Sequence, residues 1–528
     1  MDRPIVTVTQ GKLQGIFEAN ILGSHYLSFK GVPFATPPVG NLRFKDPEPP
    51  ASWEGIRDAS KNAGDVCTQL ELFGVPSQTI IGSEDCLYLN IYIPRSIHQT
   101  KGNPVMVWIH GGAYLEGNGN DAHYRPDYLM TKDVILVSIN YRLGALGFLN
   151  LGHKVASGNQ GLKDQIAALK WIKENIEAFG GDSNNITLFG ASAGGSSAHF
   201  LMLSPLSKGL FQKAILQSGM STCDWAIIKH SVAKAFNLAS ILGTNSKDPE
   251  EVVRFLQGKS AAEIVKAQYA VLTPEEARII FMPFGPSIDD KAEKSVLPHP
   301  VSELINDDNN IPIMIGNSSY EYIFFLKDIS QATLNIMYAD IPRYMENFIN
   351  SQDSEKITQL TDRVKQYYFN NNPFTEENIP SIIQWLSDIH FKLPVKDFVN
   401  KRRKKDQAST YFYEFSYVGS QKTPTKLMYE HNVIDLTSIG ASHIDELAYL
   451  FYLPNCKTDD PPARDTKDRK VLEILTKMWT NFAKTGNPTP VLDQYVTTTW
   501  LPATKDTFNC LNIGDTLQHV TVSEDNIL

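Results

Sequence analysis

The pentapeptide Gly190-Ala191-Ser192-Ala193-Gly194 joins two segments of opposite character. Before it stands Ile186-Thr187-Leu188-Phe189, a short apolar run of the kind that forms a buried strand, and after it comes a small-residue segment suited to opening a helix. A chain that passes from strand to helix in so few residues makes a sharp, strained turn, and the flanking glycines remove the Cβ atoms that would collide there. Such a turn lifts the Ser192 hydroxyl above the sheet edge and aims the N-terminus of the next helix at it. A serine that only caps a helix needs no preceding strand; strand, turn and helix together favour a nucleophile.

Other segments extend the same pattern. Residues 103–109 form an apolar run ending at His110-Gly111-Gly112-Ala113, and residues 134–140 have the same character. Leu162, Ile166, Leu169, Ile172 and Ile176 recur at three- and four-residue steps, which predicts an amphipathic helix closed by Phe179-Gly180-Gly181. Buried strands alternating with helices predict an α/β fold: a mostly parallel central sheet with helices on both faces. Helical patterns dominate about 225–310 and 330–410, and these are expected to be insertions over the active-site end. No repeat or linker divides residues 1–528, so one domain is expected.

Composition narrows the function. Hydrophobic residues at 42% and charged residues at 20% describe a globular chain rather than a disordered one. A net charge of −9 without a basic run argues against nucleic acid or an anionic membrane as partner. No apolar run approaches the roughly 18 residues of a membrane span. The opening Met1-Asp2-Arg3-Pro4 leads into β-like Ile5–Val8 without the apolar core of a secretory signal. A cytoplasmic or otherwise intracellular protein is expected, or a secreted one if a signal segment precedes this chain. Five cysteines are too few for a disulfide scaffold; Cys67 and Cys86, if oxidised, would close a short loop worth about 3 kcal/mol.

Ester cleavage places negative charge on a carbonyl oxygen, and backbone N–H donors preorganised around it are worth about 3–4 kcal/mol each. The loop after an early strand supplies such donors together with the residue after the nucleophile, which selects Gly112, Ala113 and Ala193. The serine also needs a base and an orienting acid, in the order Ser, acid, His. His443 precedes an apolar segment, Leu447 to Tyr452, expected to be helical; Glu321 follows the strand-like residues 311–315. His431 competes with the former, and Asp289, Asp290 and Asp435 with the latter.

At this point the chain resembles the type-B carboxylesterase and cholinesterase family over nearly its whole length. The resemblance rests on the two motifs above and on Glu84-Asp85-Cys86-Leu87-Tyr88-Leu89-Asn90, residues 141–148 (Tyr-Arg-Leu-Gly-Ala-Leu-Gly-Phe), residues 158–165 and residues 479–488. Insect α-esterases, linked to xenobiotic ester turnover and organophosphate binding, are the most similar group. The resemblance implies an α/β-hydrolase fold and a triad of Ser192, Glu321 and His443, with no metal or cofactor. It also implies buried ion pairs Arg43–Glu84 and Arg142–Asp164, and a second serine behind the triad, Ser218. Trp225, Phe281, Met282, Phe284 and Tyr114 are expected to line the substrate pocket. The implied reaction is hydrolysis of small to medium apolar carboxylic esters through an acyl-enzyme, with organophosphates as covalent inhibitors and a monomer or weak dimer as the working form. Alternatives are a juvenile hormone or odorant esterase, a slowly deacylating sequestering protein, and a non-catalytic binding member of the fold.

Three positions depart from the family pattern. Ala191 replaces a polar residue before the nucleophile, Tyr322 stands where many members have glycine after the acid, and Ala113 replaces a third glycine. Residues 68–85 lack the tryptophan with which cholinesterases hold choline by cation–π attraction, so choline esters are not the expected substrates.

Overall fold

The structure is a computed structural model that describes residues 3–62, 66–71, 79–305, 310–326, 329–405, 407–430, 436–456 and 460–524. His431, Asp435 and part of the segment between Cys67 and Cys86 lie outside these residues. Its centre is an eleven-stranded sheet: β1 (Ile16–Ala19), β2 (His25–Pro33), β3 (Tyr88–Pro94), β4 (Asn103–Ile109), β5 (Ile135–Ile139), β6 (Gly181–Ala191), β7 (Lys213–Gln217), β8 (Ile313–Ser318), β9 (Thr410–Phe415), β10 (Asn509–Ile513) and β11 (Leu517–Thr521). Their spatial order is β11-β10-β9-β8-β7-β6-β4-β5-β3-β2-β1. The strands from β10 across to β5 are parallel, and antiparallel pairs finish both edges.

The central strands are continuously apolar because both faces of the sheet are covered. In β4, Val105, Val107 and Ile109 join the core beneath helices α1 (Gln160–Asn175) and α2 (Ala193–Leu203), while Met106 and Trp108 join the core beneath α3 (Lys467–Thr485). This alternation follows from the two-residue period of a strand. Every residue of α2 is buried, and its Ala-Gly-Gly-Ser-Ser-Ala opening lets the helix lie directly on the sheet. The predicted helix begins two residues earlier than its first apolar position, at Gln160.

Two groups of helices fill the regions expected as insertions. Ser231–Ile241, Pro249–Gln257, Ala261–Ala267 and Pro274–Ile279 form the first; four helices from Gln331–Ala339 to Ile379–Ser387 build a separate core around Trp385. The helix expected over Leu447–Tyr452 is instead a 3-10 turn, Asp445–Tyr449. Tyr452 exchanges backbone hydrogen bonds with Arg125 at 3.0 and 3.1 Å, which draws the chain into an extended bridge before a helix can propagate.

Both ion pairs are present. Arg43 grips Glu84 through Nε and Nη2 at 2.6 and 2.5 Å and also donates to the Leu256 and Lys259 carbonyls, tying the N-terminal region to the first helical group. Arg142 makes a two-point contact with Asp164, at 2.8 and 2.7 Å, and its backbone N–H donates to the same carboxylate at 3.0 Å. Removing one partner leaves the other charge buried, so Asp164→Ala is expected to destabilise the protein by about 3–5 kcal/mol in urea denaturation. A loss below about 1 kcal/mol would mean that Arg142 finds another acceptor.

Cys67 and Cys86 form a disulfide, while Cys223, Cys456 and Cys510 are buried free thiols. Among the described residues no helix is long and apolar enough to cross a membrane.

Candidate active site

Ser192 follows β6 with φ 58° and ψ −125°, a conformation that ordinary residues hold only when their surroundings enforce it. Its N–H donates to the Gln217 carbonyl at 2.8 Å, and its own carbonyl accepts from Ser196 N–H at 2.9 Å. Glycine is required on both sides: a Cβ on Gly190 would lie 2.7 Å from the Ile109 carbonyl oxygen, and one on Gly194 would collide with that same oxygen. The turn is therefore pressed against the end of β4, where the His110-Gly111-Gly112-Ala113 loop begins.

That loop wraps tightly over the serine. A Cβ on Gly111 would sit 3.1 Å from Ser192 Cβ, and Gly112 and Ala113 take φ values of 107° and 56°. Among the described residues the Gly112 and Ala113 N–H groups have no hydrogen-bond acceptor. Ala193 opens α2, where first-turn N–H groups have no intrahelical partner. Three backbone N–H groups without an acceptor thus stand in the loop and the helix start that flank the serine.

Glu321 follows β8 and is fully buried. Its Oε1 accepts from Ser318 N–H at 2.7 Å and its Oε2 meets His443 Nδ1 at 2.5 Å. The two loops are stitched together beside this contact: Tyr320 N–H donates to the Ala441 carbonyl at 2.9 Å, and Ala441 N–H to Ser319 Oγ at 3.0 Å. The imidazole of His443 packs against Phe391, Phe325 and Phe324 at 4.9, 5.2 and 5.9 Å, and its Nε2 has no partner among the described residues. Phe325 and Phe391 also line the cavity that contains Ser192, so two of the rings packed against His443 stand on the serine's cavity wall. Asp289 is spent on Ser295, Val296 and Leu297, and Asp290 is exposed beside Lys291.

The cavity has a volume of about 340 Å³ and is lined by Ala113, Ser192, Trp225, Phe281 and Met282, together with residues from 277–280, Tyr322, Phe325, His390 and Phe391. Phe284 and Tyr114 are not among the residues that line this cavity; both are buried in the main core. Tyr114 takes φ 60°, and its ring packs edge-on to Phe148 at 5.3 Å, an orientation that proximity to the glycine loop does not reveal. Ser218 is fully buried at the end of β7 with φ 50°, its N–H donating to the Gly316 carbonyl. The sequence reading missed His390 and noted Tyr322 only as a departure; both form the wall, their rings stacked 5.5 Å apart.

Near Glu321, Glu446 accepts from Gln217 Nε2 at 2.8 Å. Burial first, and the nearby Glu321 carboxylate after it, push its pKa from 4.5 up to about 8. The folded protein therefore holds a proton that the unfolded chain releases above pH 4.5, and stability falls as pH rises from there to about 8. Glu446→Gln keeps the Gln217 contact and removes this dependence. Its stability relative to wild type is expected to rise by roughly 2–3 kcal/mol between pH 5.5 and 7.5 in urea denaturation; an unchanged difference would place an ionised carboxylate there.

A strained serine at a strand-to-helix turn, with free N–H donors and a carboxylate-bound histidine beyond parallel strands, defines an α/β-hydrolase. A family model described as the carboxylesterase family matches residues 2–526. Esterase E4 of Myzus persicae is 35% identical over 513 residues, covering 95% of this chain and 89% of the relative. Juvenile hormone esterase of Tribolium castaneum is 33% identical, covering 92% and 84%. The crystal structure of juvenile hormone esterase from Manduca sexta, with OTFP covalently attached, superimposes with a TM-score of 0.87 at 28% identity, covering 99% of this chain and 97% of that one. The chain belongs to the carboxylesterase family and is a serine carboxylic ester hydrolase.

Proposed function

We propose that Ser192, Glu321 and His443 form the catalytic triad for broad hydrolysis of small to medium apolar esters, including xenobiotic ones. The observation that carries this reading is the 2.5 Å Glu321–His443 contact, whose imidazole packs on Phe325 and Phe391, two rings of the cavity wall that also holds Ser192. Glu321 holds the tautomer in which Nδ1 carries the proton, so Nε2 takes the Ser192 proton as Oγ attacks the ester carbonyl. Charge developing on the carbonyl oxygen is met by the N–H groups of Gly112, Ala113 and Ala193. His443 returns the proton to the departing alcohol, leaving an acyl-Ser192 ester; water enters, is deprotonated by the same nitrogen and releases the acid.

The apolar wall of Trp225, Phe281, Met282, Phe325 and Phe391 supports an uncharged acyl group as the preferred occupant. Organophosphates carry a phosphoryl oxygen that the same three donors can hold, which supports covalent inhibition at Ser192. The juvenile hormone esterases among the relatives raise a second reading, tested by competition of a juvenile hormone ester against an aryl ester. The Cys67–Cys86 bond supports an oxidising compartment over the cytoplasm.

The progress curve with p-nitrophenyl butyrate, at enzyme concentrations that resolve the first turnover, tests the reading. Sustained turnover is expected; a one-equivalent burst that stalls would indicate sequestration, and no release would leave a binding protein.

A further inference from the structure

A second histidine held by a carboxylate, His390 with Asp224, lines the cavity through its histidine, and the reaction above does not use it. The helix Ile379–Ser387 widens into a π turn, Asp388–Lys392, before resuming at Leu393. Such wide turns inside helices recur at functional sites, because they turn out side chains that a regular helix would bury. Here the turn places His390 and Phe391, adjacent in sequence, on the same cavity wall.

The His390 ring is fixed on several sides. It stacks on Tyr322 at 5.5 Å and meets the edge of Tyr344 at 5.8 Å, while its carbonyl accepts from Trp225 Nε1 at 2.9 Å. Nδ1 contacts Asp224 Oδ1 at 2.9 Å and Oδ2 at 3.0 Å. Asp224 Oδ2 also accepts from Asn347 Nδ2 at 2.6 Å, and Asn347 Oδ1 accepts from Lys229. The side chains of His390 and Asp224 are 4% and 3% exposed. A carboxylate only accepts, so Nδ1 carries the proton in this contact, and Nε2 is the ring atom left to meet a ligand. That atom is buried and has no partner among the described residues. Arg278, the charged residue on the same wall, is tied to Asp340.

We propose that His390, oriented by Asp224, is a specificity residue whose Nε2 accepts a hydrogen bond from a hydroxyl group on the ester substrate. The cavity then selects apolar esters bearing one hydroxyl, on either the acyl or the alcohol portion. The inference rests on the esterase reading and adds to it a polar contact among the aromatic side chains of the wall. A buried acceptor that must be matched discriminates strongly against an analogue lacking the donor, since that analogue leaves it unpaired.

The test compares isosteric esters whose terminal group is methyl, hydroxyl or methoxy. One series varies the acyl chain of p-nitrophenyl esters from four to eight atoms; the other varies the alcohol of butyrate esters. In the wild type, one chain length in one series is expected to favour hydroxyl over methyl, with no matching gain for methoxy, which accepts but cannot donate. His390→Phe is expected to lower the hydroxyl-to-methyl ratio of kcat/KM at that length by at least about tenfold. Asp224→Asn gives an independent reading: its amide can accept from Asn347 and donate to His390 Nδ1, moving the ring proton to Nε2. The methoxy-to-methyl ratio should then rise several-fold. The proposal is overturned if no chain length in either series shows a hydroxyl preference that His390→Phe reduces, or if wild type favours methoxy as strongly as hydroxyl. Turnover of the methyl esters separates the two readings: its absence defeats the esterase assignment, whereas turnover with unmoved ratios defeats only the role of His390.

Discussion

Ser192→Ala is expected to lower kcat for p-nitrophenyl butyrate by about 10⁴–10⁶-fold, with little change in KM. The substitution removes one oxygen from a turn whose shape is set by Gly190, Gly194 and the Ser192–Gln217 backbone bond, none of which involves the hydroxyl. The cavity wall, the free N–H donors and the Glu321–His443 contact all remain, so substrate still binds and only the acyl-enzyme is lost. Residual hydrolysis above the uncatalysed rate reports what the donors and the cavity contribute on their own. A fall smaller than about tenfold would place the nucleophile elsewhere.

Glu321→Gln is expected to cost about 10⁴-fold in kcat while leaving the fold intact. Glutamine can keep the Ser318 N–H contact through its oxygen, which turns its amide nitrogen toward His443 Nδ1. The ring is then held in the tautomer whose Nε2 bears the proton, and it cannot take another from Ser192. Equal activity in Glu321→Gln and wild type would show that the histidine needs no orienting charge. Thermal denaturation of the variant serves as the control for folding.

Local patterns carried much of this architecture. The strand Asn103–Ile109 and the helix beginning at Gln160 follow from apolar spacing, and the nucleophile from a motif whose glycines sit within collision distance of the Ile109 carbonyl. Strand β6 begins at Gly181, five residues before its apolar part, because polar residues 182–185 extend the strand without an alternation that marks them. Glu321 and His443 were left among competitors by residue type alone; resemblance selected them, and the structure joins them across 122 residues. The cavity wall was harder to read. Asp224 and His390 are 166 residues apart and no periodicity links them, while the π turn that brings His390 to the cavity wall lies inside an unbroken helical pattern. Tyr114 and Phe284 lie in the core; for Tyr114, an aromatic beside the glycine motif, the sequence does not announce the backbone φ of 60° that directs its side chain.

Intact-mass spectrometry after incubation with an organophosphate tests the nucleophile most directly. One phosphoryl adduct per chain is expected, mapped by peptide analysis to Ser192 and absent from Ser192→Ala. No adduct on the wild-type protein, or one that persists in the variant, would contradict the assignment of Ser192 as the residue that carries the acyl group.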